Sequence, residues 1–169
     1  MFNPFMRGAR SSVRSACGLA AAMVIAIALI ASLAGYVFLR SQGFNARHKP
    51  GRTETIAASY AVHLGISNAA RAQRNPVVTT PETRLEARRL YSENCAVCHA
   101  IRGSGQTPTA RGLSPGVPDL ASARVQALTD GEIHYVIRNG VRFTGMPAWD
   151  FPDEQAWELV ALVRSMRQR

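Results

Sequence analysis

Two thiols and an imidazole stand together at Cys95-Ala96-Val97-Cys98-His99. Two cysteines three positions apart at a helix end can reach the two vinyl groups of one porphyrin. The next residue then brings an imidazole under the iron. The run is therefore read as the covalent attachment site of a c-type haem, with His99 as the proximal ligand. By chance the pattern arises on the order of once in a thousand chains of this length. Two other chemistries compete. A structural zinc site needs a second pair of ligands, and the remaining cysteine, Cys17, is far away. A thioredoxin-like dithiol needs a βαβ setting, and the flanks here read as helical.

The second axial position of such an iron needs another soft or nitrogenous donor. Met146 stands in Gly145-Met146-Pro147-Ala148-Trp149, 47 residues after His99. A thioether suits iron(II), and a Met/His pair raises the reduction potential. Methionine is ordinarily a gap-filler in cores. Here it lies in a Gly/Pro-flanked loop after a helix that Gly140 stops, and Pro147 stiffens that loop, so ligation is favoured. His134 is the competitor. Its neighbours Ile133, Val136 and Ile137 define the apolar face, which is expected to leave His134 toward solvent. Met166, near the end of the chain, is disfavoured.

Three helices must position these groups. Thr80 suits an N-cap, Pro81 the first helical position and Glu82 the first turn. Ala87, Leu90, Tyr91 and Asn94 then share one face, so a helix is expected to about Asn94. A Gly/Pro/Thr-rich loop follows over 103–118. A second helix begins at Thr129 or Asp130 and stops at Asn139-Gly140. A third begins after Pro152 and carries Trp157, Val160 and Ala161. Strand-length alternation is missing from this half of the sequence, and so is any internal repeat.

Upstream the chain changes character. Arg7, Arg10 and Arg14 precede a charge-free run from Ala16 to Leu39, about 36 Å long as a helix and enough for a hydrocarbon core of roughly 30 Å. A secretory signal has a shorter apolar stretch, and the best cleavage sequence, Ser32-Leu33-Ala34, lies inside this one. An uncleaved single-span anchor is favoured over a cleaved signal or a buried core helix. Arg40, Arg47, Lys49 and Arg52 follow the run, so positive charge flanks both ends and gives no orientation. Residues 40–80 read as a linker with one short amphipathic helix over 53–72, marked by Ile56, Tyr60 and Leu64. As a coil the linker would span roughly 35 Å. His63 is expected to be an exposed polar residue.

Charge follows the same division. The 169 residues carry 20 Lys+Arg against 11 Asp+Glu, a net charge of +9, with a pI near 10.7. Residues 1–81 hold nine of the cations and one acid, Glu54, whereas residues 82–169 hold eleven arginines and ten acids. The basic excess flanks the apolar run. It is not a nucleic-acid-binding surface on the half that carries the chemistry, and no nucleic-acid partner is expected.

On the Cys95–His99 run and the Met146-Pro147 loop, residues 81–169 resemble the class I c-type cytochromes. The resemblance implies an all-α fold of three to four helices around one covalent haem, preceded here by a single N-terminal transmembrane helix. It implies that the backbone carbonyl of a proline in a Pro-x-Leu loop accepts from the proximal histidine. Pro118-Asp119-Leu120 matches that loop, with Pro115 and Pro108 as alternatives. It places a small residue and an aromatic, here Ala87 and Tyr91, where the first and last helices cross, with Trp157 and Leu162 opposite. Ala87 departs from the glycine of the family pattern. Trp149 is expected at the haem edge, and Arg102, Arg138 and Arg142 near the propionates or simply in solvent. Haem is joined to such proteins on the outer face of the bacterial inner membrane. The expected organisation is a cytoplasmic N-terminus over 1–15, an anchor over 16–39, a periplasmic linker over 40–80 and a cytochrome c domain over 81–169. Cys17 is then an unreactive small residue at the cytoplasmic edge.

With His99 and Met146 both on the iron, no position is open to substrate. The expected function is one-electron transfer in a bacterial respiratory chain, not catalysis. Redox partners implied by the resemblance are a quinol–cytochrome c oxidoreductase and a terminal oxidase or dehydrogenase. Two alternatives stay open: a fixed haem subunit of a larger oxidase or dehydrogenase complex, and a haem enzyme or sensor with an open iron site.

Overall fold

A computed structural model describes residues 5–42 and 50–167, with side chains over 18–41 and 50–167. The side chains of Arg7, Arg10, Arg14 and Cys17, and all of Arg47 and Lys49, lie outside the described residues. The chain divides into two compact units, Met1–Asn45 and Ala46–Arg169.

The first unit is one helix, α1 (Phe5–Gln42). Its stretch Gly18–Ser41 has a mean hydropathy of 2.5 and buries none of its residues within the structure. An apolar helix exposed all round suits lipid better than water.

The second unit holds seven helices: α2 (Arg52–Gly65), α3 (Asn68–Ala72), α4 (Pro81–Asn94), α5 (Ala96–His99), α6 (Ala123–Gln126), α7 (Asp130–Asn139) and α8 (Asp153–Ser165), with a 3₁₀ turn at Ala110–Gly112. Among the described residues there is no strand, and the all-α class stands. Local chemistry sets the ends of α4. Thr80 Oγ1 accepts from the Thr83 backbone N–H at 3.2 Å, and Thr83 Oγ1 accepts from the Thr80 N–H at 2.9 Å. That reciprocal pair satisfies two of the orphan donors of a helix start, and Pro81 needs none. Thr129 and Glu132 make the same arrangement at α7. Gly140 ends α7 with φ of 66°.

The core forms where α4 and α7 pack on α8. Ala87, Leu90 and Tyr91 meet this core from α4, and Ile133 and Ile137 from α7. Ala156, Trp157, Leu159 and Val160 contribute from α8, where Ala156 and Val160 are fully buried. The burial of Glu158 beside them is not balanced by a partner for its Oε2.

His134 does not face solvent. It is 9% exposed, its ring stacks on Trp157 at 4.0 Å with 10° between planes, and Nε2 lies 3.0 Å from Asp153 Oδ1. The expectation failed because it assumed one apolar stripe. Helix α7 is covered on two sides, by α8 and by α3, so Gly131, Glu132, Ile133 and His134 are all buried in succession.

That second cover comes from upstream. Gly131 allows it: a Cβ there would lie 1.9 Å from the Ala70 carbonyl oxygen of α3. Glu132, 3% exposed, brings Oε1 to 2.8 Å from His63 Nδ1 and 3.4 Å from Arg71 Nε, while Oε2 accepts from the Thr129 N–H. Ile66 is buried, Arg124 donates to Ser59 Oγ, and Asn75 donates to the Trp157 carbonyl. From Arg52 onward, the stretch expected as a linker thus belongs to the same compact unit as the C-terminal helices. His63 is half exposed yet paired.

Candidate haem-attachment site

Cys95 is the joint between α4 and α5. Its N–H continues the ladder of α4 to the Tyr91 carbonyl at 2.9 Å. Its own carbonyl accepts from Cys98 and His99 at 3.1 and 2.9 Å and opens α5. One residue thus ends one helix and starts the next, which puts both thiols and the imidazole on a single turn. Both thiols are free and half-buried. Burial, with Cys98 adding to it, pushes the Cys95 thiol up to about 11, so it is neutral at pH 7.

Past His99 the chain reverses. Ala100 takes a positive φ of 61°, and its carbonyl accepts from the Tyr91 hydroxyl at 2.8 Å. That bond ties α4 to the turn after His99. The His99 carbonyl accepts from Gly105 N–H at 2.9 Å, and the Gly103 carbonyl from Leu120 N–H at 2.8 Å. Thr107 Oγ1 donates to the Cys98 carbonyl at 3.4 Å. Gly105, at φ of 68°, has no space for a side chain: a Cβ would lie 2.7 Å from the Val117 carbonyl oxygen and 3.1 Å from that of Pro118. These contacts seat the 117–120 segment against the motif.

His99 Nδ1 is buried and has no hydrogen-bond partner of full geometry. Desolvation holds the imidazole below its ordinary pKa, and the nearby Pro118 carbonyl acts in the opposite direction. The Pro118 carbonyl thus lies close enough to the imidazole to affect it. A buried ring nitrogen facing a carbonyl fixes the tautomer and leaves the other nitrogen for an electrophile.

The Met146 loop is pinned from two sides. Its carbonyl accepts from Val141 N–H at 3.1 Å, and its N–H donates to Thr144 Oγ1 at 3.0 Å. A Cβ on Gly140 would meet the backbone of Pro147 and Ala148 at 2.6 Å, and one on Gly145 would meet Leu113 at 2.7 Å. Both glycines permit close approach that a larger residue would block. Trp149 donates its N–H to the Ile137 carbonyl at 3.3 Å and stacks on Phe151 at 5.3 Å. Met166 packs against Gly103 at the edge of the core. Arg102 and Arg142 are exposed and Arg138 is half-buried. None of the three forms an ion pair among the described residues. The Arg142 guanidinium lies 5.8 Å from the centre of the Phe143 ring.

Two thiols and an imidazole on one turn, against a loop that Gly105 lets pack closely, fit a covalently held haem. Zinc lacks a ligand set: among the described residues no group of three His, Cys, Asp or Glu side chains gathers to hold an ion. The dithiol alternative lacks its βαβ setting. Sequence reading missed Tyr91 as a hydrogen-bond donor, and it missed Gly105, Thr107 and Gln126. The positive-φ glycines of the 103–118 loop were the one available signal. Gln126 left none: it is 6% exposed, and its amide donates to the carbonyls of Leu120 and Val163.

The model of the family described as cytochrome c oxidase, cbb3-type, subunit III, matches residues 83–163. No curated protein matches the chain. A chain in a solved structure of the reducing HAO-like protein complex of Kuenenia stuttgartiensis is similar at 23% identity over 55% of this chain, with a TM-score of 0.48. The match spans about half of that chain, 47%. The matched residues 83–163 contain the single Cys-x-x-Cys-His run of the sequence and the helices that carry it. The C-terminal half of this chain is accordingly a monohaem c-type cytochrome domain with covalently bound haem c.

Proposed function

We propose that the protein is a one-electron carrier of a bacterial respiratory chain. Helix α1 anchors it in the inner membrane, and the haem domain over 81–169 lies on the periplasmic side. Residues 1–15 are cytoplasmic in this reading. The observation that carries it is the single turn that holds Cys95, Cys98 and His99, with the Met146 loop fixed separately by its own glycines. Tyr91, Gly105 and Thr107 fix the Cys95–His99 turn, and Gly140 and Gly145 fix the loop of Met146.

Haem c, when bound, supplies an iron couple that gains and loses single electrons. Cys95 and Cys98 hold it by thioether bonds. His99 and Met146 would ligate its iron, and the Pro118 carbonyl would orient His99. Trp149, held by the Ile137 carbonyl and stacked on Phe151, would stand at the edge of the group. With both iron positions taken by protein atoms, the group would pass electrons and leave no position for substrate. The donor is a quinol–cytochrome c oxidoreductase and the acceptor a terminal oxidase, with a dehydrogenase as a further electron source.

A second reading is favoured by the family description itself, which names a subunit of an oxidase. There the chain is a fixed haem subunit. Detergent extraction followed by size analysis separates the two, because co-purification at fixed stoichiometry excludes a free shuttle. Ligation is tested by spectrum and redox titration of membrane fractions. The oxidised protein is expected to show the weak far-red sulfur-to-iron band. Met146→Ala is expected to keep covalent haem, lose that band and lower the potential by on the order of 0.1–0.3 V, within the roughly 0.8 V that axial ligands command. An unchanged potential means the ligand is another residue. Rapid carbon monoxide binding by the reduced wild type points to an open iron site instead.

A further inference from the structure

We propose that α2 lies on the surface of an anionic lipid bilayer through Ile56, Tyr60 and Leu64, which holds the haem domain against the membrane in one orientation. This rests on the membrane-anchored reading above. The three side chains recur at i, i+4 and i+8 and are 68, 63 and 65% exposed. The adjoining edge of the helix is already committed to the domain. His63 pairs with buried Glu132, Ser59 accepts from Arg124, and Ile66 is buried just beyond the helix end. Rotating α2 to hide the stripe would take His63 from buried Glu132 and Ser59 from Arg124, so the domain does not cover it.

The occupant follows from chemistry and position. A short helix with one apolar stripe and a tyrosine within it suits the boundary between headgroups and acyl chains. Arg40, Arg47, Lys49 and Arg52 come just before the stripe, and cations near a membrane surface are drawn to anionic headgroups. The one acid of residues 1–81 is Glu54, and at 100° per residue it stands about 160° round the helix from Ile56. The apolar stretch ends at Ser41 and α2 starts at Arg52. The intervening chain, about ten residues, extends to ~35 Å at most. The stripe therefore cannot leave the neighbourhood of the bilayer that α1 crosses. A protein partner would require neither that nearness nor the cationic flank.

The test uses full-length holoprotein with Cys17→Ser, the motif thiols being taken up by haem. Spin labels are placed singly through Ile56→Cys, Tyr60→Cys, Leu64→Cys, Glu54→Cys and Ala61→Cys, all at exposed positions. Haem absorbance confirms folding of each. The protein is reconstituted in vesicles of phosphatidylglycerol with phosphatidylcholine, or of phosphatidylcholine alone, and floated. Protein that fails to float overturns the anchor, and the proposal with it. In floated protein, labels at 56, 60 and 64 are expected to favour oxygen over a water-soluble nickel chelate by about threefold more than labels at 54 and 61. That contrast is expected to shrink in phosphatidylcholine alone. Equal water exposure at all five positions in floated protein overturns the proposal and leaves the anchor standing. Dipolar broadening at position 60 also overturns it, since it marks a second copy on the stripe.

Discussion

Asp153 serves two rings at once. Its Oδ2 accepts from Trp157 Nε1–H at 3.1 Å, and its Oδ1 lies 3.0 Å from His134 Nε2. Trp157 in turn covers the face of His134. Burial disfavours a charged imidazole here. Asp153 works the other way, Arg138 adds to the burial effect, and the net pKa falls below the ordinary histidine value. A folded pKa below the unfolded one, near 6.5, means that the unfolded chain binds the proton more readily. The contribution of His134 to stability is complete above about pH 6.5 and is lost as pH falls through the folded pKa. Wild type should therefore lose more stability between pH 7.5 and pH 5 than His134→Gln, which cannot titrate. Denaturant midpoints followed by circular dichroism would show this. Parallel slopes for the two proteins would mean that His134 keeps its solution pKa.

Packing between elements turns on Gly131. It stands in the first turn of α7, two residues after the N-cap Thr129, and its missing side chain admits the close approach of α3. A valine there puts Cβ on the Ala70 carbonyl, where only backbone movement relieves the contact. Gly131→Val should therefore lift α3 and α2 from α7 at a cost of about 1–3 kcal/mol. Amides of 52–72 should exchange faster, while α4 and α8 stay protected and the haem spectrum holds. Unchanged protection over 52–72 would refute the role given to this glycine. The same contrast explains what a reader of the sequence can and cannot see. Helices α4, α7 and α8 were legible, because Thr80, Pro81, Thr129 and Gly140 act within one turn of their own chain. The short α6 was not, since Gln126 and Arg164, which tie it to α8, lie 38 residues apart. The docking of α2 and α3 was not legible either: a helical glycine and a lone histidine carry no mark of a partner sixty residues away. At the site, the chemistry was legible where it is contiguous, in Cys95 to His99. How Pro118 meets that run depends on the path of a long loop, and periodicity says nothing about such a path.

Taken whole, the molecule separates its charge from its chemistry. The basic excess lies in residues 1–81. The cytochrome half has eleven arginines against ten acids, and two ionised propionates bring it to about −1. Such a domain has no net field with which to draw in a partner from solution. Steered association between strongly charged proteins gains 10 to 10³ in rate and loses it steeply as salt rises. In the proposed anchored state the domain would gain its encounter rate in a different way, by being held at high local concentration beside partners in the same bilayer, a gain that does not depend on salt. Haem reduction by the endogenous donor in native membranes, followed by stopped flow, should then change by less than about threefold between ~10 and ~300 mM salt. A tenfold fall would show that a local charged patch, one that the net charge conceals, selects the donor. In that case Arg102, Arg138 and Arg142, which make no ion pair among the described residues, are the first positions to neutralise.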